Sequence, residues 1–303
     1  MIGNVVIIGS GSISNKHELA IKKNEKKFKL IKISSRQFEK FKKNEFKKLI
    51  LTKPILIIIC SPASKHYYNF IQIEENFNNA NVLIEKPVFD KLYKIDKKLK
   101  NNYYVGYNLR FHPVILFLKK YLKQKKIFSI NLTSHSYLPD WRKIDYRQSV
   151  SAKKKLGGGL LLELSHEFDF LKWIFRDIEI LHVLNEKISN LQIDTDDILN
   201  LIGKINKKTL LNMNMNIFSK IPKRLIKIDG KNFSLDADLI NNKILIIEDK
   251  KKRVKNFFNF DMQKSYELQL HEILNNKNPN LCSFKEGLEV IKLIKKIKKK
   301  NIN

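Results

Sequence analysis

A lysine fixed between a carboxylate and a proline, Glu85-Lys86-Pro87, follows the apolar run Val82-Leu83-Ile84. The chain's other lysines lie mostly along polar helix faces, so Lys86 stands out as a group able to hold or release a proton. Far downstream, Glu163 and His166 follow the triple glycine Gly157-Gly158-Gly159, and their spacing puts both on one face of a helix. His166 can relay a proton there, with Glu163 or Lys86 tuning it through charge. A histidine beside acids can equally be structural.

Near the N-terminus, Gly9-Ser10-Gly11-Ser12-Ile13-Ser14 follows the strand-like run Val5 to Ile8 and opens an amphipathic stretch. In that context a glycine fingerprint binds a dinucleotide. Gly9 makes the tight turn, and Gly11 lets the backbone approach a pyrophosphate that rests on the amides of the helix beginning with Ser12 and Ile13. Ser14 takes the third glycine's place, and an ordinary strand-to-helix turn is the alternative. The next strand ends in Ser34-Ser35-Arg36 with no carboxylate before Glu39. Hydroxyls followed by arginine suit a ribose 2′-phosphate better than a bare 2′-hydroxyl, which favours NADP over NAD, although a solvent-exposed turn also explains Arg36.

Two further clusters stand at strand ends. Ser61, Pro62 and His66 are expected with Glu85 and Lys86 on the cofactor side, while Tyr107, Asn108 and Arg110 are expected to line the substrate side. Arg142 and Arg147 carry the fork geometry that holds a carboxylate or phosphate, with structural salt bridges as the alternative.

The elements that must position these groups follow from the apolar pattern. Strands are predicted at Asn4 to Ile8, Lys29 to Ile33, Ile55 to Cys60, Val82 to Ile84 and Tyr103 to Val105, and helices at Ser14 to Asn24, Gln37 to Leu51, Ser64 to Asn76 and Asp90 to Lys100. That alternation is a doubly wound parallel sheet with its ligand crevice beyond the strands' carboxyl ends. After a helix running from Pro113 to about Lys123 the texture changes. Strands are predicted at Phe128 to Ser136, Ile178 to Val183, Asp197 to Ile205, Thr209 to Phe218 and Leu225 to Ile228, with one amphipathic helix over Gly157 to Phe175. Strands without intervening helices imply a largely antiparallel sheet in an α+β domain. Helices from about Gln263 to Leu274 and from Phe284 to the end close the chain. The expected division is a Rossmann domain over 1–118 and an α+β domain over 119–303.

The formal net charge of +29 raises nucleic acid as a partner. Seven of the 59 basic residues are arginines and the remaining 52 are lysines spread along the chain, a pattern better explained by codon bias than by phosphate readout. Lys292 to Lys300 reads as a solvated helix face, and no nucleic-acid partner is expected. No apolar run reaches the length of a membrane span, and no export signal precedes the first strand, so a cytoplasmic location is expected. Cys60 and Cys282 read as buried free thiols without a metal motif.

Together these segments resemble the Gfo/Idh/MocA family, named for glucose-fructose oxidoreductase, inositol dehydrogenase and the rhizopine-catabolism protein. The resemblance rests on the fingerprint with His17 after it, Ser61-Pro62 with His66, Glu85-Lys86-Pro87, the triple glycine with His166 and Asp169, and the Tyr266 to Ile294 region. It implies a nicotinamide-dependent oxidoreductase acting on a sugar-like small molecule, with Lys86 near the nicotinamide, His166 in the substrate site, and an open C-terminal sheet that often mediates homo-oligomerisation. Glu163 stands where the family commonly has Asp, three residues before the histidine rather than four. The stretch Ser136 to Arg142, with Asp145-Tyr146-Arg147 and Ser151-Ala152, resembles a branch associated with bacterial surface-sugar pathways. A catalytically silent cofactor- or sugar-sensing protein of the same fold is the rival expectation.

Overall fold

Continuous apolar runs bounded by turns make strands that can be buried on both faces, and the N-terminal unit is built on them. The computed structural model describes residues 3–23, 28–275 and 279–301. In the first unit the elements are β1 (Gly3–Ile8), α1 (Ser12–Lys22), β2 (Phe28–Ile33), α2 (Ser35–Phe38), α3 (Lys43–Leu51), β3 (Pro54–Ile59), α4 (Ala63–Asn76), β4 (Asn81–Ile84) and β5 (Asn102–Val105). The strands lie in the order β2-β1-β3-β4-β5, all parallel, and β14 (Cys282–Ser283) adds antiparallel to β5. Ile57, Ile58 and Ile59 of β3 are fully buried, each contributing about 1.5–3 kcal/mol. The chain leaves β1 toward β2 and then returns to the other side of β1 with β3, so the order reverses between β1 and β3. A crevice for a ligand opens there.

The expected single break after residue 118 is corrected. The first unit comprises Met1–Phe111 and Asp261–Ile291, the second His112–Phe260 and Lys292–Asn303. The returning piece carries α8 (Met262–Leu274), β14 and the first turns of α9 (Phe284–Lys300). Its Tyr266, Leu270, Ile273 and Leu281 join the core made by Val5, Ile7, Leu56 and Leu83, which is why the chain must come back.

Two predicted helices are also corrected. Gln37 to Leu51 is divided, because Phe38, Phe41 and Phe46 close on one another and Glu45 caps a fresh start at the Lys42 amide. Asp90 to Lys100 is irregular: Tyr93 stacks on Tyr67 at 3.8 Å and the Lys100 amide donates to Glu74, tying the segment to α4. The predicted end of the first helix at Asn24 and the last residues of the final one lie outside the described residues.

The second unit opens with α5 (Pro113–Tyr121) and β6 (Ile127–Tyr137), then α6 (Leu160–Glu163) and α7 (Ser165–Phe175). Its sheet continues through β7 (Ile178–Glu186), β8 (Ile198–Ile205), β9 (Thr209–Asn216), β10 (Phe218–Gly230), β11 (Phe233–Asp238), β12 (Lys243–Glu248) and β13 (Lys251–Asn256). The order is β13-β12-β11-β10-β6-β9-β8-β7, antiparallel except for β6 beside β9. One face is packed: Glu167 of α7, wholly buried, accepts from Ser134 on β6 and from Arg224 on β10. The other face is open, with Ile202, Leu210, Leu225, Ile247 and Val254 each more than a third exposed. A groove of about 500 Å³ on that face is lined by none of the expected site residues. Among the described residues no helix is long and apolar enough to cross a membrane.

Candidate functional site

Gly9 closes β1 with φ +130°, and a Cβ there would stand 2.5 Å from the Cys60 carbonyl oxygen, so only glycine lets the ends of β1 and β3 approach. Gly11, exposed at the start of α1, is the opposite case: a Cβ would meet nothing within 4 Å. Gly11 offers the first turn of α1 no side-chain cap, and no acidic residue occupies that turn. Ser14 packs inward, fully buried, with its hydroxyl donating to the Gly11 carbonyl at 2.6 Å. An exposed, uncapped helix start with open space at Gly11 fits a dinucleotide's pyrophosphate, and Ser12 and half-buried Ile13 border it.

At the end of β2 the Ser34 hydroxyl caps α2 by accepting from the Gln37 amide at 3.2 Å, which places half-buried Ser35 and exposed Arg36 in the first turn. Beyond β3, Ser61 is buried, its hydroxyl accepting from Asn69 at 2.8 Å, and Pro62 stands just before α4. His66 of α4 is 1% exposed, with Nε2 2.8 Å from the Ser61 carbonyl oxygen and Nδ1 2.9 Å from that of Pro87. It acts from inside, joining the turns after β3 and β4. Burial holds its pKa below the ordinary histidine value although both carbonyls favour the charged ring.

Beyond β4, Glu85 is 4% exposed and its Oε1 lies 2.6 Å from Nε2 of His17, itself 2% exposed on α1. The other oxygen of Glu85 accepts from the Lys86 amide at 3.1 Å. Lys86 is half-buried and its bond to Pro87 is cis. Burial, with the Glu85 charge second, pushes the Tyr266 hydroxyl and the Cys60 thiol above their usual ranges. Glu85 is therefore packed beneath the crevice. Sequence reasoning gave His17 no role, yet Ser14, His17 and Ile21 mark the buried face of α1, and a histidine there needs a polar partner.

Of the residues expected on the substrate side, Tyr107 is fully buried and Asn108 donates to Ser265 of α8 at 2.8 Å. Arg110 is 1% exposed and binds the Leu281 carbonyl and Glu286, each at 3.1 Å. In these contacts the polar groups of Asn108 and Arg110 fasten the returning segment to the rest of the first unit.

In the second unit the predicted helix over Gly157 to Phe175 is broken at Leu164 (φ −95°, ψ 30°), which ends α6 and precedes α7. Glu163 and His166 thus stand on different helices, and the one-face spacing no longer applies. Gly158 and Gly159 lie before α6, where a Cβ would strike the Val150 carbonyl oxygen at 2.2 Å and Asp196 at 2.4 Å, respectively. Half-buried Glu163 accepts from the Ser151 hydroxyl at 2.6 Å, and that hydroxyl accepts from Arg142 at 3.0 Å. Arg147 is paired with Asp145 at 2.7 Å and donates to Gln192. Ser151 carries no expected role, and its partners Arg142 and Glu163 belong to no local motif with it. Among the described residues no group of His, Cys, Asp and Glu is arranged to hold a metal ion.

Residues 3–107 match the model of the oxidoreductase family with the NAD-binding Rossmann fold, Gfo/Idh/MocA. The matched stretch carries that family's NAD-binding Rossmann fold. No curated protein matches the sequence closely enough to count as a relative. Solved structures extend the likeness over the whole chain. A levoglucosan dehydrogenase in complex with NADH has a TM-score of 0.82 at 14% identity, covering 100% of this chain and 97% of that one. The WlbA dehydrogenase from Bordetella pertussis, in complex with NADH and UDP-GlcNAcA, has a TM-score of 0.76 at 14% identity, with the same coverage. A super-repressor mutant of Gal80p from Saccharomyces cerevisiae has 0.78 at 15% identity, covering 100% and 96%. At these identities the likeness establishes the fold. The Rossmann unit thus carries an open, uncapped helix start at Gly11 and a lysine at the end of β4.

Proposed function

We propose that the chain is a nicotinamide-dependent oxidoreductase that moves hydride between the cofactor and a hydroxyl or keto carbon of a sugar, sugar nucleotide or sugar acid. The observation that carries this reading is the uncapped, open start of α1 at Gly11 in the same unit as Lys86. When bound, the nicotinamide supplies a hydride donor or acceptor at its C4. The chain's own residues do the rest. Gly9, Gly11, Ser12 and Ile13 hold the pyrophosphate, Ser61 and Pro62 border the cofactor side, and Lys86 or His166 takes the hydroxyl proton as hydride leaves, with Glu163 beside His166 in sequence. Tyr107 and Arg142 remain on the substrate side. Ser35 and Arg36 favour NADP over NAD through the 2′-phosphate.

The family and the sugar and sugar-nucleotide dehydrogenases among the structural likenesses support a sugar-type substrate, and the UDP-GlcNAcA complex of one of them fits a role in bacterial surface-glycan synthesis. We infer a cytoplasmic homo-oligomer joined through the open face of the eight-stranded sheet, whose exposed Ile202, Leu210, Leu225 and Val254 a second copy would cover. The test is single-turnover oxidation or reduction of bound nicotinamide with a panel of sugars and UDP-sugars. A cofactor that binds yet never changes redox state with any of them would instead support the silent sensor. That second reading is favoured by the Gal80p likeness and by the helix break between Glu163 and His166.

A further inference from the structure

Lys86 is flanked by two residues, and a buried histidine holds each of them. On one side His17 of α1 meets Glu85 at 2.6 Å, and Glu85 in turn accepts from the Lys86 amide at 3.1 Å. On the other side His66 of α4 meets the Pro87 carbonyl oxygen at 2.9 Å and, through its second nitrogen, the Ser61 carbonyl oxygen at 2.8 Å. The two histidines come from the helices that follow β1 and β3, the strands on either side of the point where the sheet order reverses. Space is kept for the arrangement: a Cβ on Gly106 would stand 2.8 Å from the Glu85 carboxyl carbon. An edge-to-face contact with Tyr266, ring centres 5.2 Å apart, fixes the His17 ring.

Stability alone is a poor explanation for these groups. Burying a carboxylate and an imidazole carries a desolvation cost that well-packed apolar side chains of similar volume avoid. His66 is placed between two acceptors, although a neutral imidazole has one N–H to give. What the contacts have in common is the main chain around Lys86.

We propose that His17 and His66 are positioning residues forming a two-sided clamp on Lys86, His17 acting through Glu85 and His66 through the Pro87 carbonyl. The clamp fixes the backbone from which the Lys86 ammonium is presented to the crevice. The catalytic part of this inference rests on the reading of Lys86 as a proton-handling residue; the structural part does not.

The test uses the full chain carrying His17→Leu, His66→Leu, Glu85→Gln or Lys86→Ala, together with the pairs His17→Leu/Lys86→Ala and His66→Leu/Lys86→Ala. Amide hydrogen exchange of the peptide containing Lys86 is read against the peptide containing Val5 to Ile8. Exchange at Lys86 is expected to quicken about tenfold or more in both histidine variants, while exchange of the β1 peptide holds near the parent value. His17→Gln, which keeps an N–H donor, should recover most of the protection. Unchanged exchange at Lys86 in folded His17→Leu and His66→Leu would overturn the clamp, and if one of these does not fold, Glu85→Gln and the other variant decide. Single turnover of NAD⁺ with glucose and with UDP-N-acetylglucosamine as probes separates the two levels. Each histidine loss should slow turnover in the parent and add nothing once Lys86→Ala is present, whereas a general structural defect would add to it. If Lys86→Ala turns over as the parent does, the proton role of Lys86 fails and the clamp is judged on exchange alone.

Discussion

His112 offers a titration whose size follows from its surroundings. It is fully buried at the start of the second unit, and its Nδ1 accepts from the Val114 amide at 3.2 Å, capping α5. A proton on Nδ1 would face that N–H, in a buried site near the Arg224 charge. Burial first and Arg224 second lower the pKa from 6.5 to about 4. Above pH 6.5 the ring is neutral folded and unfolded, and its contribution to stability is complete. As pH falls from 6.5 toward 4 the unfolded chain takes a proton that the folded chain refuses, so stability is lost across that window and then levels off. At about 1.4 kcal/mol per pH unit the loss comes to about 3 kcal/mol. His112→Asn keeps a good cap and removes the titration. Trp141 and Trp173 both belong to the second unit, so urea unfolding followed by tryptophan fluorescence reads the unit that holds His112. The stability difference between parent and His112→Asn should move by about 3 kcal/mol in the variant's favour between pH 7 and pH 4, with the carboxylates cancelling in the comparison. A difference that stays within about 1 kcal/mol across the range would refute the argument.

Gly11→Val should fold, since its Cβ meets nothing, yet weaken NADH binding by about tenfold or more in a fluorescence titration; unchanged affinity would remove the pyrophosphate from this turn. Arg36→Ala should weaken NADP binding about tenfold while leaving NAD nearly as it was, and a constant ratio of the two dissociation constants would discharge Arg36 from the choice. Lys86→Ala and His166→Ala should each lower the turnover rate by about 10²-fold, with the double variant losing less than the product, and full turnover in His166→Ala would leave the proton to Lys86 alone. Arg147→Ala should leave turnover within about twofold, because its guanidinium is engaged by Asp145 on the exposed surface; a large loss would return it to the substrate.

The parallel sheet was legible because a strand buried on both faces must be a nearly continuous apolar run, as Ile55 to Ile59 is. The meander from Phe233 to Asn256 was not read, although Phe233, Leu235 and Ala237 alternate inward and Asn232 and Asn242 turn with positive φ. Its last strand is exposed throughout and rich in lysine, so no alternation marks it; the charges blunt an edge strand. Glu85-Lys86-Pro87 and the glycines were visible as local patterns. The partners that decide what the side chains do were not, since Arg110 meets Glu286 far along the chain and Glu163 meets Ser151 across a loop knot built on Gly158 and Gly159. The break at Leu164 was hidden because leucine is a good helix former on either side of it.

The interruption of the first unit sets an order of events during synthesis. A ribosome that has released residues up to Phe111 has made the parallel strands but not Tyr266, Leu270, Ile273 or Leu281, which complete their core, nor the Glu286 that answers buried Arg110. The larger piece of the second unit, His112 to Phe260, emerges before that missing piece, and its remainder from Lys292 only after it. The open turn at Gly11 is thus encoded first, and the unit that carries it is finished late. A chain cut after Phe111 would expose apolar surface that α8 covers, and such a fragment should aggregate or require a separately supplied 261–291 peptide to become soluble.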